Sequence, residues 1–229
     1  MNAQKPKSPK LFPIAGIGAS AGGLEAFSQL LQNLPVDTGM AFVLVQHLDP
    51  GHESALTQLL ARTTRMPVSE VVQGTAVAPN QVYVIPRNAS MVIERGVLKL
   101  RPRAETSRAN LTIDCFFESL ARDRKDRAIG VVLSGNAMDG TQGLEMIKAE
   151  GGFTFAQDAS AKYDSMPRHA VEAGCVDWVL APDLIARELT RIARHPLVGP
   201  GPERGAKQST RSPRGGRKRP LEGSAKGEP

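Results

Sequence analysis

Cysteine is scarce here, at two among 229 residues. Cys115 and Cys175 lie far apart, so they offer neither a disulfide framework nor metal-ligand spacing. Long apolar runs are missing too. The best, residues 41–45 and 176–181, fall far short of the roughly 20 residues that span a bilayer, and Asp177 interrupts the second. The first ten residues hold three lysines and two prolines but no apolar stretch, so they do not read as a secretory signal. These absences predict a cytoplasmic chain with no membrane insertion.

Charge is unevenly spread. The net charge is +6, yet residues 197–229 carry eight Lys/Arg against three Glu and the first ten residues three Lys. The span 11–196 is left at −2, so the basic character belongs to the ends. Residues 197–229 also hold seven Gly and five Pro with only two Leu and one Val, too little apolar surface to offset ordering entropy. The expectation is a disordered segment 1–10, a folded domain 11–196 and a disordered basic tail 197–229. The tail has no aromatic residue to stack on bases, so nucleic acid is disfavoured as a partner.

Within 11–196, short apolar runs alternate with helical periodicity. That pattern predicts an α/β fold: a doubly wound, mostly parallel sheet with helices on both faces. Strands are read at 12–17, 40–45, 128–133, 153–156 and 176–180. Helices are read at 24–34, 53–64, 111–123, after Gly140 as far as Gly151, and from Pro182 to about 194. Residues 66–104 are Val-rich and include a hairpin turning at Arg95-Gly96; they are expected as an antiparallel excursion from the main sheet.

Two patterns overlap at the first strand–helix turn. Gly16-Ile-Gly-Ala-Ser-Ala21 fits the dinucleotide fingerprint, and Gly18-Ala-Ser-Ala-Gly22 fits the nucleophile elbow. In both, small residues permit a sharp turn and leave helix N–H groups free for an anion. A dinucleotide site also wants an acidic residue at the tip of the second strand, and Gln46-His47 stands there instead. A serine nucleophile wants an imidazole and a carboxylate from elsewhere in the fold. His47 follows the second strand and Asp139 the strand 128–133. In a parallel sheet Ser20, His47 and Asp139 emerge on one edge, which favours a hydrolytic triad. The structural alternatives are a capping role for Ser20, a core or capping histidine at 47, and Asp139 as the N-cap of the helix near Thr141. Cys115, Cys175, Tyr163 and Trp178 read as packing residues, and Arg168 as a surface cation at a helix start.

The segments Gly18-Ala-Ser-Ala-Gly-Gly23, Val45-Gln-His-Leu48, Tyr83-Val-Ile-Pro86, Ile113-Asp114, Leu133-Ser-Gly135, Met138-Asp-Gly140, Ala156-Gln-Asp158, Met166-Pro-Arg168, Ala173-Gly174 and Val176-Asp177 follow one another in order. Together, over about residues 11–194, they resemble the catalytic domain of the bacterial chemotaxis protein-glutamate methylesterase family. The details look most like the module fused to methyltransferases in hybrid proteins. The resemblance implies that Ser20 is the nucleophile, His47 the general base and Asp139 the orienting carboxylate, with backbone N–H groups at Ala21 and Asn136 as the oxyanion hole. It further implies hydrolysis of glutamate methyl esters on chemoreceptor-like signalling proteins, with glutamine deamidation beside it, a methyltransferase as counterpart, and no cofactor or metal. Ala21 stands where the family usually has a hydroxyl residue and Asn136 where it usually has methionine. Only ten linker-like residues lie upstream of the first strand, so control by a phosphoacceptor domain in cis is not expected. The competing expectations are a non-catalytic docking module on the same fold and a nucleotide-binding regulator.

Overall fold

A computed structural model describes residues 11–46, 56–102 and 111–195. The expected end segments 1–10 and 197–229 lie outside the described residues, as do 47–55 and 103–110. The elements follow in the order β1 (Ile14–Ala19), α1 (Gly23–Gln32), β2 (Ala41–Gln46), α2 (Leu56–Ala61), β3 (Val68–Glu70), β4 (Thr75–Ala76), β5 (Val82–Val84), β6 (Ala89–Glu94) and β7 (Val97–Pro102). Then come α3 (Thr112–Arg124), β8 (Ala128–Val132), α4 (Thr141–Ala149), β9 (Phe153–Gln157), α5 (Ser165–Glu172), β10 (Trp178–Leu180) and α6 (Pro182–Ala193).

Seven parallel strands form one sheet in the order β10-β9-β8-β1-β2-β5-β3. Alternate residues of each central strand feed opposite cores, as the two-residue period of a strand requires. Ala15, Ile17, Phe42, Leu44, Ile129 and Val131 pack with α1, α2 and α6. Ile14, Val43, Val45, Ala128 and Val132 pack with α3, α4 and α5. The sheet is thus covered on both faces, the arrangement under which all-parallel sheets are found.

The reading of 66–104 needs correction. β3 and β5 join the main sheet in parallel, β5 beside β2 with Phe42 opposite Val82. Val82, Tyr83 and Val84 are all buried, and an apolar run without alternation is the mark of a strand covered on both faces. Only β4, β6 and β7 form the separate antiparallel sheet. Its hairpin turns at Arg95 and Gly96, whose φ of 52° and 76° fit a type I′ turn.

Two helices approach the sheet closely. Where β1 and β8 face α3 and α4 they carry glycine. A Cβ on Gly18 would lie 2.5 Å from Ile113 Cγ2, and one on Gly130 2.5 Å from Leu144 Cδ2. Ile113, in the first turn of α3, therefore rests on the backbone of β1 two residues before Ser20. α4 in turn crosses α3 at Gly143, where a Cβ would lie 2.3 Å from Phe117 Cβ. Gly143→Ala should lower stability by about 1 kcal/mol in a denaturant titration. The overpacking penalty of about 1–3 kcal/mol exceeds the gain of about 0.5–1 kcal/mol from replacing a helical glycine.

Candidate active site

The strand order reverses between β1 and β8. The chain leaves β1 toward β2 on one side and β8 toward β9 and β10 on the other. Open α/β sheets bind ligands in the crevice at the carboxyl ends of such a pair. Ser20 follows β1 there, and the loop 133–140 follows β8.

The turn after Ser20 is locked by its neighbours. The Ser20 N–H donates to the Ser134 carbonyl at 3.0 Å, and the Ser20 carbonyl accepts from Gly23 N–H at 2.9 Å and Gln46 Nε2 at 3.3 Å. Gly22 caps α1 with φ 76°, and a Cβ there would lie 2.7 Å from Ser134 Oγ, so both conformation and space demand glycine. Ser134, almost wholly buried, donates its hydroxyl to the Ala21 carbonyl at 2.8 Å and accepts from Tyr163 N–H at 3.1 Å. Its own N–H donates to Gln157 Oε1 at 2.9 Å. Sequence reading gave Ser134 and Gln157 no role, although both stand in segments that carry the family resemblance. A polar cleft of about 300 Å³ opens beside this turn, lined by Gly22, Glu25, Ser134, Gln157, Ser160 and Lys162 among others.

Asp139 is 5% exposed and its carboxylate is fixed by the backbone of α3. Oδ2 accepts from Ile113 N–H at 3.0 Å and Oδ1 from Asp114 N–H at 2.9 Å. Asp139 therefore caps α3, not the helix beginning at Thr141 as the structural alternative supposed. That neighbouring helix, α4, has Gly140 as its N-cap. Because Ile113 rests on Gly18, the same helix end that holds Asp139 is seated beneath Ser20. Ser20 itself packs against this loop, since a Cβ on Gly135 would lie 3.0 Å from Ser20 Cβ.

The third predicted residue, His47, lies outside the described residues. The strand that leads to it ends at Gln46, opposite Ala19. Of the two oxyanion candidates, Ala21 is half-buried in the turn and Asn136 is exposed in the loop. Among the described residues neither N–H donates a hydrogen bond. Ala137 next to Asn136 has φ 70°, a left-handed conformation that costs a non-glycine residue about 1 kcal/mol or more. Its carbonyl is bonded by the His169 ring at 3.0 Å.

Other readings fare variously. Cys175 is buried with its thiol pushed up, chiefly by burial, and Cys115 is half-buried. Trp178 stacks on Phe155 with centroids 4.9 Å apart. Tyr163 is not a packing residue: it is 39% exposed, with Lys162 over its ring. Arg168 is exposed, 3.9 Å from Glu172. Among the described residues no group of three or more His, Cys, Asp or Glu could hold a metal, and no helix is long and apolar enough to cross a membrane.

Among the described residues Asp114 is the one carboxyl displaced far from its ordinary value. It is 4% exposed, and burial, opposed by the Gly143 N–H and assisted by the Asp139 charge, pushes it up to about 7. An acid whose folded value exceeds its unfolded one binds protons more readily when folded. Its contribution to stability is complete below about pH 4 and is lost as pH rises to about 7. Relative to Asp114→Asn, wild type should therefore lose on the order of 4 kcal/mol between pH 4 and pH 8, at about 1.4 kcal/mol per unit. Parallel denaturation curves for the two proteins check this.

Comparison with known proteins adds three findings. The CheB methylesterase family matches residues 15–189. The "Protein-glutamate methylesterase/protein-glutamine glutaminase 2" proteins of Pseudomonas aeruginosa and Anaeromyxobacter dehalogenans are 36% and 38% identical, over 79% and 78% of this chain. The chain spans only about half of those relatives, 53% and 52%, although it covers 95% of a 34% identical protein from Leptospira interrogans. The Thermotoga maritima CheB methylesterase catalytic domain superposes with a TM-score of 0.72 at 28% identity, covering 79% of this chain and 98% of that one.

Proposed function

Since the chain belongs to the CheB methylesterase family, we propose that it hydrolyses methyl esters of glutamate side chains on chemoreceptor-like signalling proteins and deamidates glutamine there. Ser20 is the nucleophile, His47 the general base and Asp139 the orienting carboxylate.

In the first half-reaction Ser20 Oγ attacks the ester carbonyl while His47 takes its proton. Collapse of the tetrahedral intermediate breaks the bond to methoxide, which leaves as methanol with the proton from His47. In the second, water attacks the acyl-serine, His47 again moving the proton, and glutamate is released with Ser20 restored. For glutamine the leaving group is ammonia. Asp139 holds the imidazole tautomer and stabilises the imidazolium. Backbone N–H groups at Ala21 and Asn136 face the developing oxyanion, where one lost donor costs roughly a hundredfold or more. If only backbone N–H groups act, the side chains found at 21 and 136 are compatible with the chemistry.

The observation that carries this reading is the Asp139 carboxylate, buried and gripped at both oxygens by α3, on a loop packed against Ser20. A carboxylate serving a triad needs that fixity, because the imidazole it orients must be held within a few tenths of an ångström. The methyl ester substrate requires a methyltransferase to supply it, and that enzyme is the counterpart we propose.

The test is methanol release from methylated signalling-domain fragments of bacterial chemoreceptors, with the unmethylated fragments as control. Release above the uncatalysed rate is expected. None across a panel of such fragments, together with no labelling by a fluorophosphonate, would leave the docking-module reading in its place.

A further inference from the structure

The reaction scheme leaves one buried carboxyl beside the site unused. Asp114 stands in the first turn of α3 and points at the first turn of α4, where its Oδ1 accepts from Gly143 N–H at 2.7 Å. Its own N–H donates to Asp139 Oδ1 at 2.9 Å. Each helix is thus capped by a carboxylate from outside it: α3 by Asp139, α4 by Asp114. Neither helix has a side-chain cap from its own N-cap residue, which is Leu111 in one case and Gly140 in the other. Exchanged capping of this kind closes a ring. It runs from the Asp139 carboxylate to the Asp114 amide, through Asp114 to Gly143, and back along four residues of chain to Asp139.

The ring matters because Asp139 precedes α4 by only two residues. Where α4 begins decides where the Asp139 carboxylate lies, and the Asp114–Gly143 bond decides where α4 begins. Gly143 makes the bond possible: a Cβ at that position would lie 3.2 Å from Asp114 Cα. Gly140, with φ 100°, gives the chain the turn it needs between the carboxylate and the helix. We propose that Asp114 is a positioning residue for the hydrolysis, fixing the Asp139 carboxylate through exchanged capping of α3 and α4. The proposal rests on the reading of Asp139 as the orienting carboxylate, and concerns how that group is held in place.

Simple stabilisation of two helices predicts a lower melting temperature and an unchanged chemical step. Positioning predicts a slower chemical step in protein that is still folded, since a misplacement of about 1 Å can cost about a hundredfold. The probe is a fluorophosphonate reacting with Ser20, its inactivation kinetics resolved into binding (KI) and the covalent step (kinact), at a temperature where circular dichroism shows each variant folded. Asp114→Ala should lower kinact by about a hundredfold with KI within a factor of about three. Asp114→Asn keeps an oxygen acceptor for Gly143 N–H and should stay within about threefold of wild type. Asp114→Glu keeps the carboxyl but moves the acceptor by one methylene, and should lose at least about tenfold.

Wild-type kinact in Asp114→Ala, while Asp139→Asn is crippled, overturns the proposal and leaves the triad reading intact. Should the alanine variant not fold, the other two decide. Full kinact in Asp114→Glu, or a tenfold loss in folded Asp114→Asn, overturns the proposal. Full kinact in Asp139→Asn, or no labelling of wild type, removes the triad reading and the proposal together.

Discussion

Ser20→Ala is expected to reduce methanol release by about 10⁵–10⁶-fold, the scale on which removing a triad nucleophile acts. What survives should be the smaller acceleration that an oxyanion site and substrate binding give alone. The variant is a clean one because the bonds that fix Ser20 are made by its backbone. Its N–H goes to Ser134, and its carbonyl receives Gly23 and Gln46. The turn should persist without the hydroxyl, and stability should change by no more than about 0.5 kcal/mol. His47→Ala should lose as much, since a nucleophile and its base act as a unit and their losses do not add. Rate measurements on the two single variants and the double variant check this. A His47→Ala protein with most of its activity would mean that another group takes the proton.

How legible this molecule is in its sequence depends on the scale of the question. The alternation of apolar strands and helical periods carried the sheet and its two helical faces, and the Arg95-Gly96 turn was readable because only one hairpin geometry wants two positive φ values in succession. That Ser20 and the loop carrying Asp139 meet at one edge was readable because parallel strands deliver their carboxyl ends there. What was not legible depended on which strand pairs with which. Val82 to Val84 looks the same in an antiparallel excursion as in a parallel strand, and only burial on both faces separates the two. Asp139 is the sharper case. An aspartate just before a helix reads as that helix's cap, yet here it caps α3, 25 residues earlier in the chain. The glycines in β1 and α4 that let α3 come so close, and the one in β8 that admits α4, were visible as letters. Their meaning was not, because it lies in the Ile113, Phe117 and Leu144 side chains that occupy the missing Cβ positions.

The exchanged capping also changes what Asp139→Asn should do. In a triad whose carboxylate only orients an imidazole, the amide substitution costs about 10⁴-fold in rate by favouring the wrong tautomer, with the fold intact. That loss is expected here as well. A second effect follows from the hydrogen bonds, because both carboxylate oxygens accept backbone N–H groups, Oδ2 from Ile113 and Oδ1 from Asp114. An asparagine has one oxygen. Whichever way its amide is turned, an NH₂ group must face a buried N–H donor. Leaving a buried donor without an acceptor costs about 1–3 kcal/mol. Asp139→Asn should therefore lose about 2 kcal/mol of stability in a denaturant titration, besides its activity. Asp139→Ala removes both acceptors and should lose more. If Asp139→Asn were as stable as wild type, the two amides of α3 would have found other partners, and the grip on the carboxylate would be weaker than the distances imply. The two readouts separate the roles: loss of activity is what the triad reading expects, and loss of stability reports the cap on α3.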